Sequence, residues 1–321
     1  MGLLIVAVLF TNCADIVYVV GWEDNGQSDR MPKLWKNGIG ANLTDGINND
    51  AAALSVFVSG KDVYAAGYEA TRLRVGARLW KNGKAQNFAV ESSFAEIYSV
   101  FVVGSDVYAA GREQNAAKLW KNNAEQIFFV ENFSAAQSVF VVGNDVYVAG
   151  WERNTQGIYV AKVWKNGVAQ NLTNGAHNAK ALSVYVFNDN VYVAGFENDG
   201  QEKPAAKLWI NGVAQNLSDE SFSSKANSVF VTGNDVYIAG YGIYSQRPIA
   251  QIWKNGVAQN LTDGTAEAEA CSVFVLGKNV YVAGYERNTQ GIYVAKLWKN
   301  GVARRLSMGK KDARAYSVFA K

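Results

Sequence analysis

"AQSVFVVGNDVYVAGWERNTQGIYVAKVWKNGVAQNL", residues 136–172, decides the architecture. "AQSVFVV" is apolar and β-branched, "GND" is a tight turn, and "VYVAGWE" returns as a second strand. After a loop, "AKVWK" makes a third strand. Asn166-Gly167 follows, the strongest short hairpin signal, because a type I′ turn needs positive φ at both central residues. "VAQNL" is the fourth strand. The segment reads as a four-stranded antiparallel meander, strands A to D.

This meander recurs along the chain. Pentads related to "VYVAG" begin at Val17, Val63, Val107, Val146, Val191, Val236 and Val280. Trp35, Trp80, Trp120, Trp164, Trp209, Trp253 and Trp298 each precede a basic residue and Asn, except that Ile210 stands in the basic place once. "SVF" or "SVY" starts at Ser55, Ser99, Ser138, Ser183, Ser228, Ser272 and Ser317. Successive tryptophans lie 40 to 45 residues apart, the length of one four-stranded blade. Six copies close the C–D turn with Asn-Gly and one with Asn122-Asn123, which also tolerates that backbone region.

Strands A and B are apolar at nearly every position, so both faces of each sheet are covered. The fold class expected is all-β: a seven-bladed β-propeller of four-stranded antiparallel blades. The first copy starts at strand B (16–23) and the chain ends after a lone strand A (315–321). Joining that C-terminal strand to the N-terminal strands B to D closes the ring and removes exposed sheet edges.

Bulk properties exclude several functions. The net charge of +3 is spread over interspersed acids and bases, which gives no electrostatic case for nucleic acid or an acidic substrate. Cys13 and Cys271 form no disulfide framework and no zinc spacing. No loop carries a spaced calcium ligand set. No Gly-rich phosphate loop follows a strand and opens a helix. His177 is the lone histidine, in a polar loop, so no nucleophile–His arrangement is supported. No metal and no cofactor are expected.

One copy departs from the phrase. In "YGIYSQRPIAQIWKNG" (241–256), Gly242 replaces a Glu that follows strand B in the other six copies, and Gln251 replaces the base before the Trp. The six intact pairs are Glu23–Lys33, Glu69–Arg78, Glu113–Lys118, Glu152–Lys162, Glu197–Lys207 and Glu286–Lys296. Strands B and C form a hairpin, so each pair is expected to face across it as a structural ion pair. Losing both partners costs less than stranding one charge.

The A–B and C–D turns lie on one face of such a ring, and the longer, varied B–C and D–A loops on the other, where recognition is expected. The D–A loops are polar, with more Asp and Glu than Lys and Arg, so that face is expected to be mildly acidic. "ERNTQGIYVAK" occurs twice, at 152–162 and 286–296. It presents Arg153, Asn154, Gln156 and Tyr159 in one blade and Arg287, Asn288, Gln290 and Tyr293 in another. Two such sites would give a multivalent binder; copying of one blade over another within the gene is the plainer source of the identity. The strand-C tryptophans read as core fillers rather than sugar platforms.

"MGLLIVAVLFTNC" does not fit the blade phrase. Leu3 to Phe10 is too short to span a bilayer and resembles the apolar part of a secretory signal. "LFTNC" resembles a bacterial lipoprotein cleavage site, with Cys13 as the lipidation candidate; an extra apolar strand over the closing blade is the other reading. Residues 1–13 are thus read as a signal-like or lipoprotein-like segment, whole or truncated, and 14–321 as the propeller.

Residues 14–321 resemble the repeat-built seven-bladed propellers of secreted and surface-anchored bacterial proteins. The blades lack the Gly-His and Trp-Asp pairs of WD40 repeats, the double glycine of kelch repeats and the Ser-x-Asp-x-Gly-x-Thr-Trp box of sialidases. The near-identity of the copies is similar to that of propeller lectins, and no lectin motif transfers residue by residue. What this implies is a monomeric, extracytoplasmic bacterial binding platform for a glycan or protein partner, touching a membrane only through an N-terminal lipid anchor. The alternatives are a polysaccharide-active enzyme near the axis, with Glu91, Glu96 and Glu131 as first suspects, and a purely structural module.

Overall fold

The structure, a computed structural model, describes residues 15–321 apart from 28, 45–49, 87, 89–93, 127–132, 219–221 and 244–245. The chain is a seven-bladed β-propeller. Seven four-stranded antiparallel sheets each run A-B-C-D in order. In blade 1 strand A is the C-terminal Ala313–Ala320, paired with strand B at Val17–Asp24, so that Phe319 lies opposite Tyr18 and Ser317 opposite Val20. Blades 2 to 7 follow in chain order, with strand A at Asp50–Ser59, Ala95–Val103, Ser134–Val142, Ala179–Phe187, Ser223–Thr232 and Ala268–Leu276.

Each repeated marker residue has a distinct job. The turn asparagines Asn37, Asn82, Asn122, Asn166, Asn211, Asn255 and Asn300 adopt φ of 49 to 52°, the left-handed region that Asn tolerates. Each side-chain Oδ1 then accepts the N–H of the first Val of strand B at 2.8 to 2.9 Å, which ties the C–D turn to the A–B turn. The tryptophans are buried in seven apolar clusters, one per blade interface. Trp209 of blade 5, for example, packs on Tyr147, Ala149 and Val163 of blade 4. Core filling is therefore their role.

The "SVF" marker builds the axis. Each Ser Oγ accepts the Val N–H of the next blade's strand A at 3.0 to 3.3 Å. These seven bonds make an unbroken circuit, and the bonds from Val318 N–H to Ser272 Oγ and from Val56 N–H to Ser317 Oγ carry it through the blade shared by the two chain ends. The aromatic residues two places on, Phe57, Phe101, Phe140, Tyr185, Phe230, Phe274 and Phe319, form a second closed circuit with neighbouring centroids 4.6 to 5.1 Å apart. Tilted contacts of this kind suit the ring quadrupole, and the circuit lies on the short-turn side of the serines.

Candidate functional site: an axial pocket and a cleft on blade 7

Every strand A carries one residue more than its strand-B partner needs. The register slips between Ala53 and Ser55, Ile97 and Ser99, Ala136 and Ser138, Ala181 and Ser183, Ala226 and Ser228, Ala270 and Ser272, and Ala315 and Ser317. A β-bulge of this kind re-aims a side chain. The pentad glycine makes room for it: a Cβ on Gly150 would sit 2.0 Å from the Ala135 carbonyl oxygen, and the other six pentad glycines are as tight, at 1.9 to 2.1 Å.

The seven extra residues are Leu54, Tyr98, Gln137, Leu182, Asn227, Cys271 and Tyr316. Together with the seven serines and Glu269 they line one axial pocket of about 360 Å³. Strand A runs from the D–A loop to the A–B turn, so the pocket lies on the long-loop side of the aromatic circuit. Its walls are chemically uneven. Tyr98 donates its hydroxyl to Glu96, which also accepts from Arg112 Nε at 3.2 Å. Across the ring, Glu269 accepts from Tyr285 Oη and, at 2.8 Å, from Asn227 Nδ2. Tyr316 Oη accepts Trp22 Nε1–H at 3.0 Å.

Burial raises the Tyr98 and Tyr316 hydroxyls above the usual phenol range. Burial, then the Glu269 charge, raises the Cys271 thiol far above its ordinary value. A thiol held protonated is a poor nucleophile. Lys180, two residues before Leu182 on the same strand, is lowered by burial and then by Lys225 and Arg112; its Nζ lies 4.4 Å from the Trp151 ring and 4.6 Å from that of Tyr159. Among the described residues no group of three or more His, Cys, Asp or Glu is placed to hold a metal ion.

The residues singled out from sequence fall in several places. Glu96 accepts the hydroxyl of the pocket residue Tyr98; Glu91, Glu131 and Cys13 lie outside the described residues. His177 is half-buried. The duplicated loops are largely self-contained. Arg153 Nε donates to the Gly157 carbonyl at 2.9 Å, and Arg287 Nε to that of Gly291 at 2.8 Å. Asn154 Oδ1 accepts the N–H groups of Gln156 and Ile158, and Asn288 Oδ1 those of Gln290 and Ile292. Tyr159 lies under Lys180, and Tyr293 under Arg314, whose guanidinium is 4.3 Å from its ring centroid.

The identical loops nevertheless have different neighbours. Tyr293 Oη donates to Glu267 at 2.8 Å, whereas Tyr159 packs on Trp151 at 4.8 Å between centroids. At blade 7 the loop borders a cleft of about 540 Å³ that Arg247 and Arg305 also line.

Five B–C ion pairs form: Glu23–Lys33 at 2.8 Å, Glu69–Arg78 at 2.5 Å, Glu152–Lys162 at 2.6 Å, Glu197–Lys207 at 3.8 Å and Glu286–Lys296 at 2.5 Å. They are diagonal rather than directly opposite. Lys162 faces Gly150 while Glu152 faces Val160, and the long lysine spans the offset. The expected Glu113–Lys118 pair is corrected: Lys118 joins Glu125 on strand D instead. The place of Glu125 is taken by Gly40, Ala85, Ala169, Ala214, Ala258 and Ala303 in the other blades, so a competing carboxylate exists in blade 3 alone. In blade 6, Gln251 is 1% exposed and its Nε2 donates to Asn260 Oδ1 at 2.7 Å, a neutral bond in place of the ion pair.

The bulge residues went unrecognised in the sequence. Their signal is the position before each "SV": Leu, Tyr, Gln, Leu, Asn, Cys and Tyr inside a nearly constant frame.

No family model matches this chain, and no curated protein matches it. Solved structures do. The β-propeller domain of the Trilobed protease from Pyrococcus furiosus, described as having an open velcro topology, aligns at 11% identity with a TM-score of 0.57, over 92% of this chain and 95% of that one. The acylaminoacyl peptidase of Pyrococcus horikoshii gives 12% and 0.58 over 92% of this chain and 51% of its own. A puromycin-hydrolyzing peptidase of Mycobacterium tuberculosis gives 9% and 0.55 over 87% and 50%. The chain thus spans about half the length of the two peptidases, and at these identities the likeness is one of fold.

Proposed function

We propose that this chain is a non-enzymatic binding module that receives part of a glycan or protein partner in the axial pocket from the long-loop face. One observation carries the reading. The seven blades share their tryptophan, turn asparagine, serine and axial aromatic, yet the seven bulge side chains are two aliphatics, two phenols, two amides and a thiol, and all converge on one pocket. A position that only filled space could be the same in every blade. Unlike groups around one cavity are what orienting a ligand requires.

Glycan-array and peptide-array binding, followed by calorimetry on the best ligand, tests this. Gln137→Ala with Asn227→Ala is expected to weaken binding by roughly tenfold or more, as loss of one or two neutral hydrogen bonds does; because Asn227 also donates to Glu269 and to the Ala270 carbonyl, Gln137→Ala alone is measured beside it. Binding unaffected by both changes would remove the axial assignment. Turnover of a polysaccharide that is abolished by Glu96→Gln or Glu269→Gln would establish the enzyme reading in its place. An extracytoplasmic location is part of the proposal, supported by the apolar run Leu3 to Phe10 and by Cys13; labelling of intact cells checks it.

A further inference from the structure

Blade 7 breaks a rule that other blades keep. Opposite the residue before the strand-C aliphatic stands Asn42 in blade 1, Asn171 in blade 4, Asn216 in blade 5 and Asn260 in blade 6. That amide is a useful neutral acceptor: Lys207 Nζ donates to Asn216 Oδ1 at 2.6 Å. In blade 7 the place holds Arg305, directly opposite Lys296. Like charges directly opposite on neighbouring strands destabilise a sheet. Glu286 neutralises Lys296 at 2.5 Å, and among the described residues Arg305 has no ion pair.

A second cation is brought to the same place by the degenerate copy in blade 6. Its B–C loop carries Arg247, whose Nη1 donates to the Thr265 carbonyl at 2.6 Å and is thereby held at the cleft. Arg287 is the third guanidinium, joined to Glu267 at 3.4 Å. The cleft is therefore lined by Arg247, Arg287, Lys296 and Arg305 against Glu267 and Glu286, a surplus of two positive charges. The mild acidity expected of this face does not extend here. A repulsion that the frame avoids elsewhere, created beside a cavity, is the kind of local rule-breaking found at functional sites.

We propose that the blade 7 cleft is an oxyanion site, in which Arg305 and Arg247 receive a sulfate, phosphate or carboxylate group carried by a ligand. Guanidinium forks match such groups with two parallel hydrogen bonds. Blade 4 is an internal control. It has the same "ERNTQGIYVAK" loop, with Arg153 and Lys162, but Asn171 where blade 7 has Arg305, so it lacks the added guanidinium and is not expected to bind. The site stands apart from the axial pocket and does not depend on it.

The test is a titration of the full chain with sodium sulfate, inorganic phosphate and galacturonate at constant ionic strength, with chloride as the reference, followed by amide NMR shifts. Saturable shifts centred on residues 287–291 and 305 are expected for at least one of the three, and the strongest identifies the oxyanion. Arg305→Asn, which restores the residue used in four other blades, is expected to lower that affinity at least tenfold while keeping or raising the melting temperature. Gln137→Ala with Asn227→Ala should leave the anion response intact, which separates this site from the axial one. Shifts no larger than those with chloride, or shifts that persist in the Arg247→Ala, Arg305→Asn double variant, overturn the proposal.

Discussion

Replacing Gln251 with lysine would restore the residue type found in five other blades, and it should destabilise the protein. Gln251 is 1% exposed, whereas the side chains of Lys33, Lys162 and Lys296 keep 13 to 17% exposure and each has a carboxylate within 2.8 Å. In blade 6 the diagonal place is Gly242, so the new ammonium would have the Asn260 oxygen and no carboxylate from strand B. An unpaired buried charge costs several kcal/mol, and about 3 kcal/mol is expected for Gln251→Lys. Gly242→Glu alone places a lone carboxylate at a position that is itself buried and should cost at least about 1 kcal/mol. Together they recreate the pair, so the double variant should lie about 2 kcal/mol above the sum of the single changes. Urea unfolding of all four proteins at neutral pH, with the denaturant slope checked for constancy, closes the cycle. Additive effects, or a Gln251→Lys change that is neutral, would refute the idea that the two residues were lost together because they act together.

Two further outcomes follow from the frame. Gly150→Ala should destabilise by at least about 2 kcal/mol, because its Cβ would lie 2.0 Å from the Ala135 carbonyl and the bulge must shift; a melting temperature equal to that of the parent would show that the strand yields freely. Asp62, Asp106, Asp145 and Asp235 are held below the ordinary 3.8, first by hydrogen bonds from Lys81, Lys121, Lys165 and Lys254, so their contribution is present above 3.8 and lost as pH falls through the lowered values. The lysines are raised above 10.5, first by the same bonds, and contribute until pH rises through their folded values. A thermal-stability profile flat in between, with an acid limb that flattens when the four aspartates become Asn, is expected; an unchanged acid limb would show that these clasps carry none of it.

The fold was legible because it is written seven times. One "NG" turn is a hint, but a turn, a tryptophan and a "VYVAG" strand in constant order leave few architectures. The incomplete ends then specify the closure seen between Ser317 and Val20. The ion pairs were legible from residues that appear and vanish together, although their diagonal geometry was not, since sequence spacing through a loop of varying length does not fix register. Lys118 escaped because the competing Glu125 lies on strand D, outside the phrase that defined the pair. A site near the axis was read only as the place of an alternative enzyme, and the bulge residues that line the pocket were not read. Strand A is apolar on both faces, so inserting one residue leaves no break in hydrophobic alternation, and the bulge that turns Gln137 or Asn227 toward the axis has no signature in polarity. Beside the variable residue before each "SV", its trace is the glycine of the facing strand, which reads equally well as a simple strand glycine until the Ala135 carbonyl is seen against it.

That glycine also separates stability from specificity in this molecule. The residues on either side of each bulge hold the ring. Ala136 is fully buried, and Ser138 accepts the Val184 N–H of the next blade at 3.2 Å. Between them the bulged residue is excluded from the strand pairing, so its side chain can change from Leu54 to Tyr98 to Asn227 without altering a backbone bond or an interface tryptophan. The same freedom holds at Arg305, which sits on the outermost strand, where an exposed residue faces solvent rather than a neighbouring blade. Near-identical blades therefore do not imply near-identical sites. A repeat that fixes its core residues seven times over leaves its bulge and edge positions free to diverge, and in this chain both of those positions border cavities.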